Sequence, residues 1–226
     1  MNPSLADLSV IVAARQEATR LPWLLADLAG AGLADLVVVD GGSNDGTAEL
    51  AALAGAHVLP WPPGRGGQLA AGVARSRGAW LLLLHADVRL PPDWRPRLAR
   101  AMAAGPAQVW YFDLAIEAPG LALRLVEKAV ALRSRLRQLP YGDQGLLVHR
   151  GPLMAVGGVP PLPLMEDLLL VERLRRQLRL RSLGAPLRVE ARRWQQLGVW
   201  RATWRNARLR RAWRRGTPAE QLARLY

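Results

Sequence analysis

Four polar clusters interrupt a largely apolar sequence, and their residue types are those of ligand and proton chemistry. They are Ala13-Ala14-Arg15-Gln16-Glu17, Asp40-Gly41-Gly42-Ser43-Asn44-Asp45-Gly46-Thr47, His85-Ala86-Asp87 and Glu166-Asp167. The first three follow apolar runs that read as strands, and the fourth opens a helical run. A carboxylate at the C-terminal tip of a strand faces the crevice where α/β sheets bind ligands, and it does little for the core there. Asp40 could accept hydrogen bonds from a nucleobase or ribose; an Asp before two glycines can equally serve its own turn. Asp45 precedes Gly46-Thr47 and a helical run, which predicts a capping role. The glycines lack the Gly-x-Gly-x-x-Gly spacing of a dinucleotide loop.

His85 and Asp87 are two residues apart, so at an extended strand end their side chains point the same way. An imidazole and a carboxylate so placed could hold a divalent ion that bridges phosphates. The plainer roles are an N-cap for Asp87 and a hydrogen-bonded packing residue for His85. Arg65, in Gly64-Arg65-Gly66-Gly67-Gln68, could clamp a phosphate or base. Glu166-Asp167 lies between Pro163-Leu164-Met165 and Leu168-Leu169-Leu170. So much apolar sequence would raise a carboxylate pKa and suit a general base, although helix capping by Asp167 would also account for the pair. Tyr141-Gly142-Asp143-Gln144-Gly145 is a polar turn able to hold sugar or acceptor hydroxyls, or only a turn.

The elements that must position these residues follow from periodicity. Continuous apolar runs predict buried strands at residues 8–14, 36–40, 57–59 and 80–85, and alternation predicts a fifth at 108–116. Helical patterns at 17–31, 46–54, 66–77 and 92–104 lie between them. This βαβα order implies a mostly parallel, Rossmann-like sheet with helices on both faces. Beyond Pro119 the order is less regular. Helices are expected at 121–139, 168–177 and 199–209, a strand at 145–149, a helical turn at 152–156, a Gly/Pro loop at 157–163 and a last short strand at 187–190. Leu121, Leu125, Ala129, Leu132 and Leu136 share one helical face, flanked by Arg124, Lys128 and Arg135. In the last helix Arg201, Arg205 and Arg208 lie opposite Val199, Ala202 and Leu209.

With 226 residues, 50% apolar and 22% charged, the chain has globular composition and is read as one domain spanning residues 1–226. No Cys is present, which excludes disulfide scaffolds, thiolate zinc sites and cysteine nucleophiles, and is consistent with a reducing compartment. The short run at 8–14 ends at Arg15 and is expected to be a strand rather than a signal peptide; no run approaches the ~20 residues of a membrane span, and a cytoplasmic protein is expected. Charge is unevenly spread. Residues 1–120 hold 9 Arg against 11 Asp and Glu, whereas residues 121–226 hold 21 Arg and one Lys against 7. A basic C-terminal half points to an anionic partner: nucleic acid, acidic lipid or phosphorylated substrate.

In order along the chain, residues 9–17, Val38-Val39-Asp40 through Thr47, Gly64–Gln68, Leu84-His85-Ala86-Asp87, Pro140-Tyr141-Gly142-Asp143-Gln144-Gly145, Pro163 through Asp167 and Arg192-Arg193-Trp194 carry a family resemblance. The chain resembles the family 2 glycosyltransferases of the GT-A fold, and within them a bacterial subgroup of small single-domain members without transmembrane helices. The resemblance implies inverting transfer of a sugar from a nucleotide-diphosphate sugar to an acceptor hydroxyl. Residues 1–118 would form the nucleotide-sugar half and residues 119–226 the acceptor half, with basic C-terminal helices. It assigns Ala13, Ala14, Arg15, Glu17 and Ala86 to the nucleotide pocket, Asp40 to the base, Arg65 to the nucleotide and Asp87 to Mg²⁺ or Mn²⁺ on the diphosphate. Asp167 would deprotonate the acceptor, with Glu166 as runner-up. Tyr141, Gly142, Asp143, Gln144, Arg193 and Trp194 would face sugar or acceptor. Three departures stand out: Ala13 replaces a Pro, Gln16 an Asn, and His85 the first Asp of the Asp-x-Asp motif, while no His follows His149.

Two other readings remain at this stage. A nucleotidyltransferase could share the sheet and metal site, and would release pyrophosphate. A nucleic-acid-binding protein would use the basic half, with Trp194, Trp200, Trp204 and Trp213 interleaved, but it leaves the four polar clusters unexplained, so no nucleic-acid partner is expected. The basic helices 121–139 and 199–215 either pack their apolar faces on the sheet or rest peripherally on the anionic inner face of the membrane.

Overall fold

The computed structural model describes residues 4–225. In chain order the elements are β1 (Leu8–Ala14), α1 (Leu21–Leu28), β2 (Asp35–Asp40), α2 (Thr47–Leu53), β3 (His57–Pro60), α3 (Arg65–Arg75), β4 (Trp80–His85), β5 (Val88–Arg89) and α4 (Trp94–Ala103). Then come β6 (Gln108–Ile116), α5 (Leu121–Arg137), β7 (Leu146–His149), α6 (Arg150–Ala155), α7 (Glu166–Leu174), β8 (Arg179–Val189), α8 (Arg192–Leu197), α9 (Val199–Arg214) and α10 (Ala219–Arg224). The strands form one mixed, mostly parallel sheet in the order β3-β2-β1-β4-β7-β6-β8-β5. β3, β2, β1 and β4 run parallel, as do β6 and β8, while β7 is antiparallel to both of its neighbours and β5 to β8.

Side-chain alternation divides the sheet's two faces. Val10, Val12, Leu82 and Leu84 enter a core covered by α1, α4 and the inner side of α5; Ile11, Val37, Val39, Leu81 and Leu83 enter a second core under α3, α6 and α7. Truncating a fully buried leucine such as Leu82 would cost about 2–5 kcal/mol. Register brings the chemistry to one edge. Ala14 pairs with Asp40 and Ala13 with His85, so three neighbouring strands end side by side. β8 ends against the same place: Val88 pairs with Val189, and the Glu190 N–H donates to the Asp87 carbonyl at 3.3 Å.

The structure departs from the sequence expectations at several points. The first helix starts at Leu21, with Pro22 in its first turn, which leaves Glu17 in a loop. β8 runs for 11 residues rather than the four expected at 187–190, because alternate side chains from Leu180 to Val189 enter the cores while the intervening arginines face solvent. β5, α8 and α10 were not anticipated. The leucine stripe of α5 does not pack on the sheet. Leu123 and Val126, on the opposite side, do so instead. No helix among the described residues is long and apolar enough to cross a membrane.

Candidate active site

A cavity of about 480 Å³ opens at the shared strand edge. Glu17, Arg65, His85, Asp87, Tyr141, Asp143, Asp167, Arg193 and Trp194 all line it, so the expected residues from six separate stretches of chain converge. Leu164, Met165, Leu168 and Leu209 supply an apolar wall.

Asp167 is placed by strain and by a close approach. Met165, just before α7, has φ of 66°, a left-handed conformation that non-glycine residues adopt at a cost of about 1 kcal/mol or more. The first turn of α7 then sends its two carboxylates apart. Asp167 Oδ2 accepts the Gly142 N–H at 2.7 Å, while Glu166 forms an ion pair with Arg65. A side chain at 142 would crowd the site: an added Cβ would lie 2.9 Å from His85 Nε2 and 3.2 Å from Asp167 Oδ2, and one of those side chains would have to move. His85, Gly142 and Asp167 therefore touch. Both carboxylates also lie in the first turn of a helix, where the helix dipole favours negative charge.

Glu166 is 1% exposed and does not line the main cavity. Its pKa is raised by burial against the pull of Arg65, and its contact holds the Arg65 guanidinium at the cavity wall. Burial opposes the Arg65 charge, but Glu166, Asp167 and Asp143 keep its pKa above the usual value. Burial raises the Asp143 pKa despite Arg133. Burial and the neighbouring Asp87 raise that of Glu17, whose carboxylate lies 3.3 Å from Arg192. His85 is pushed down to about 4 by burial and Arg65, which leaves a neutral imidazole near pH 7. Arg193 is lowered to about 10 by burial, Arg205 and Arg65.

Several expected site residues are placed differently. Gln144 is fully buried: its Oε1 accepts from Ser134 at 2.8 Å and its Nε2 donates to the Phe112 carbonyl at 3.0 Å. Its amide secures the 141–145 turn and does not face donor or acceptor, which corrects the expectation for this residue. Asp40 does not line the cavity; its Oδ2 accepts from the Gly42 and Ser43 amides at 3.1 and 2.9 Å, and its buried Oδ1 meets no donor among the described residues. Ala14 and Ala86 are buried and Ala13 is half-buried at the strand ends, while Arg15 is exposed; none of them lines the cavity. Asp45 accepts from the Thr47 and Ala18 amides at 3.1 and 3.0 Å, so it is tied up in joining two loops and opening α2. Asp87 caps no helix; α4 begins after Asp93.

Other lining residues went unrecognised. Glu190 pairs with Arg20 and, at 3.0 Å, with Arg192. Asn206, Leu209 and Arg210 reach the cavity from one face of α9. Arg133 of α5 stacks 3.7 Å from the Tyr141 ring centre, and Arg210 lies 5.4 Å from the same ring. The i, i+3, i+4 spacing of the α9 residues was visible in the sequence, but nothing local aimed it at the cavity.

Among the described residues no group of three or more His, Cys, Asp and Glu could by itself hold a metal ion. The donor set nevertheless suits an ion shared with substrate. Mg²⁺ is commonly held by one or two carboxylates plus phosphate oxygens and water. Asp87 offers a carboxylate, neutral His85 a nitrogen lone pair two residues away, and the Glu17 carboxylate lines the same cavity. The residues present fit a divalent cation in that form.

A family model described as glycosyl transferase family 2 matches residues 9–139. No curated protein matches the sequence. The structure is similar to glucosyl-3-phosphoglycerate synthase from Mycobacterium tuberculosis, crystallised with Mn²⁺, uridine diphosphate and glucosyl-3-phosphoglycerate, with a TM-score of 0.60 and 23% identity over 84% of this chain and 74% of that one. A second crystal of that protein holds Mn²⁺, UDP-glucose and phosphoglyceric acid, at 24% identity, a TM-score of 0.60 and the same coverage. TarS of S. aureus is similar over 81% of this chain and 60% of its own, with a TM-score of 0.67 and 18% identity. The shared architecture is the GT-A fold.

Proposed function

This chain belongs to glycosyl transferase family 2, and from that premise we propose that it transfers a sugar from a nucleoside-diphosphate sugar to an acceptor hydroxyl, with inversion at the anomeric carbon. One observation carries the reading: Asp87, just beyond the tip of β4, and Asp167, at the start of α7, line the same cavity together with His85. The Mn²⁺, UDP and UDP-glucose of the similar structures make a UDP-hexose the first donor to examine.

The chain's own residues divide the work. Residues 4–118 supply the donor side and the helices after 119 the acceptor side. Asp40, which lies outside the cavity, would take the base through Oδ1, the oxygen that meets no donor among the described residues. Arg65, held by Glu166, and Arg192 and Arg193 present positive charge to the diphosphate and stabilise the leaving group as its charge develops. Asp87 and His85 would hold Mg²⁺ or Mn²⁺, whose chemistry when bound is neutralisation of diphosphate charge. Asp167 is fixed by the Gly142 N–H and keeps lone pairs free to receive the acceptor proton as the oxygen attacks from the face opposite the diphosphate. Tyr141, Asp143 and Trp194 border the sugar and acceptor side. Holding both substrates in one cavity converts their encounter into an oriented attack. Dependence on cytoplasmic nucleotide sugars would place the enzyme in the cytoplasm, with peripheral contact at the inner face of the membrane.

Incubation with UDP-glucose, Mn²⁺ and a panel of hydroxyl acceptors tests this reading. Release of UDP together with a product of inverted anomeric configuration is expected. No UDP from UDP-glucose, with pyrophosphate released instead from UTP and a sugar phosphate, would identify a nucleotidyltransferase, and a product of retained configuration would remove Asp167 from its role as base.

A further inference from the structure

The leucine stripe of α5 faces away from every core. Leu121, Leu125, Leu132 and Leu136 are 85%, 54%, 60% and 74% exposed, a contiguous apolar row along a helix of 17 residues. Scattered exposed leucines are ordinary, but a row of four on one face marks an interaction surface. α9 runs beside α5 in the same direction. Arg133 and Arg210 share Tyr141, and four residues further along each helix Arg137 and Arg214 border one groove. Ala202 and Leu209 turn the inner side of α9 into the protein, which leaves its outer side exposed. That outer side carries Trp200 and Trp204, 64% and 63% exposed, with the Arg208 guanidinium 4.7 Å from the Trp204 ring.

Charge selects among possible occupants. Residues 191–219 contain nine Arg and no Asp or Glu. The groove joining the two helices, about 470 Å³, is bordered by Leu136, Arg137, Arg175 and Arg214, with Glu172 as its one acidic residue. Leucines beside tryptophans, backed by guanidinium groups, match the apolar boundary, headgroup level and negative charge of an acidic bilayer. A symmetric dimer through this face would bring like charges together. A nucleic acid would gain nothing from the leucines.

The geometry points to this α5–α9 face as a docking surface for anionic phospholipid, with the Arg137–Arg175–Arg214 groove receiving a headgroup phosphate. With the cavity held at that surface, we infer an acceptor hydroxyl carried on a membrane lipid. This second step rests on the glycosyltransferase reading. Asn206, Leu209 and Arg210 line the cavity from the inner side of the same α9 whose outer side would lie on the bilayer, so the cavity is one helix thickness from the surface.

Flotation of the full chain with vesicles of phosphatidylcholine, with and without phosphatidylglycerol, tests the surface without requiring turnover. Binding to anionic vesicles and not to neutral ones is expected. Leu125→Ser/Leu132→Ser should lower the bound fraction about tenfold, and Arg175→Glu/Arg214→Glu should abolish the anionic preference. All four side chains lie on or near the surface, so the melting rise produced by UDP and Mn²⁺ should survive in both variants. Absence of flotation, equal flotation on neutral vesicles, or unchanged binding by the serine variant would overturn the proposal. A solution dimer lost in the serine variant, or tight RNA retention without vesicle binding, would also overturn it, in favour of a second copy or a nucleic acid. Flotation without any UDP and Mn²⁺ stabilisation would leave the surface standing and overturn the proposed UDP and Mn²⁺ donor site instead.

Discussion

The two ends of the cavity are built on different principles. Around β1 and β2, polar side chains are spent on the backbone. Ser43 accepts from the Gln16 amide at 2.9 Å, Thr47 from the Glu17 amide at 2.9 Å, and Asp45 from the Ala18 amide at 3.0 Å. Those bonds stitch two loops into a rigid rim and leave Glu17 and Asp87 directed at the cavity. Around α7, α8 and α9 the polar groups are guanidinium ions paired with or stacked on site residues: Arg65 with Glu166, Arg192 with Glu17 and Glu190, Arg133 and Arg210 with Tyr141. The difference teaches that rigidity comes from the strand-tip side, while charge to match an anionic substrate comes from the helical side.

Substitutions on the two sides should therefore fail in different ways. Asp167→Asn keeps the size and, through its carbonyl oxygen, the Gly142 contact, but turns its NH2 toward the Leu168 N–H and removes proton acceptance, so sugar transfer at saturating donor should fall about 10³-fold with only a small drop in melting temperature. If activity survives, the helical side contributes only shape. Asp87→Ala should lower turnover about 10²-fold and abolish the Mn²⁺ dependence of whatever remains; a metal-dependent residue of activity would move the ion elsewhere. Glu166→Ala leaves the Arg65 cation without its buried partner, at a cost of about 3 kcal/mol, or roughly 9 °C in Tm for a chain of this size. Thermal denaturation would show no such drop if the pair were solvated.

The smallest effect is a pH dependence. Burial raises the Asp143 pKa in the folded state, so the folded protein binds that proton more tightly than the unfolded chain. The ionised carboxylate therefore costs stability above its unfolded pKa, and the cost disappears below it. Asp143→Asn should accordingly melt higher than the unsubstituted protein at pH 7, with the gain vanishing by about pH 3, while transfer activity falls. A gain that grew on acidification would contradict the assignment.

Legibility followed the same division. Apolar runs such as 8–14 and 80–85 carry their own signal because a strand buried on both faces has no alternative, and the residues at their tips are located at once. The 141–145 turn and the Glu166-Asp167 pair were visible as polar interruptions, but which carboxylate enters the cavity depended on the left-handed Met165, a conformation no composition announces. Gln144 looked like a site residue because a buried amide and a ligand-binding amide have the same sequence signature. Arg210 was hidden in a chain where arginine is everywhere, as was Glu190, and only tertiary packing distinguishes the residues that line the cavity. The leucine row on α5 was legible as a row; whether it faced core or solvent depended on Leu123 and Val126 occupying the inner side.

Calorimetric titration of UDP into the protein, with and without Mn²⁺, addresses the joint donor and metal site most directly. The account predicts that Mn²⁺ tightens UDP binding in the unsubstituted protein and in Asp167→Asn, and has no effect in Asp87→Ala. UDP binding of equal strength in all three proteins with or without Mn²⁺, or no binding at all, would contradict it.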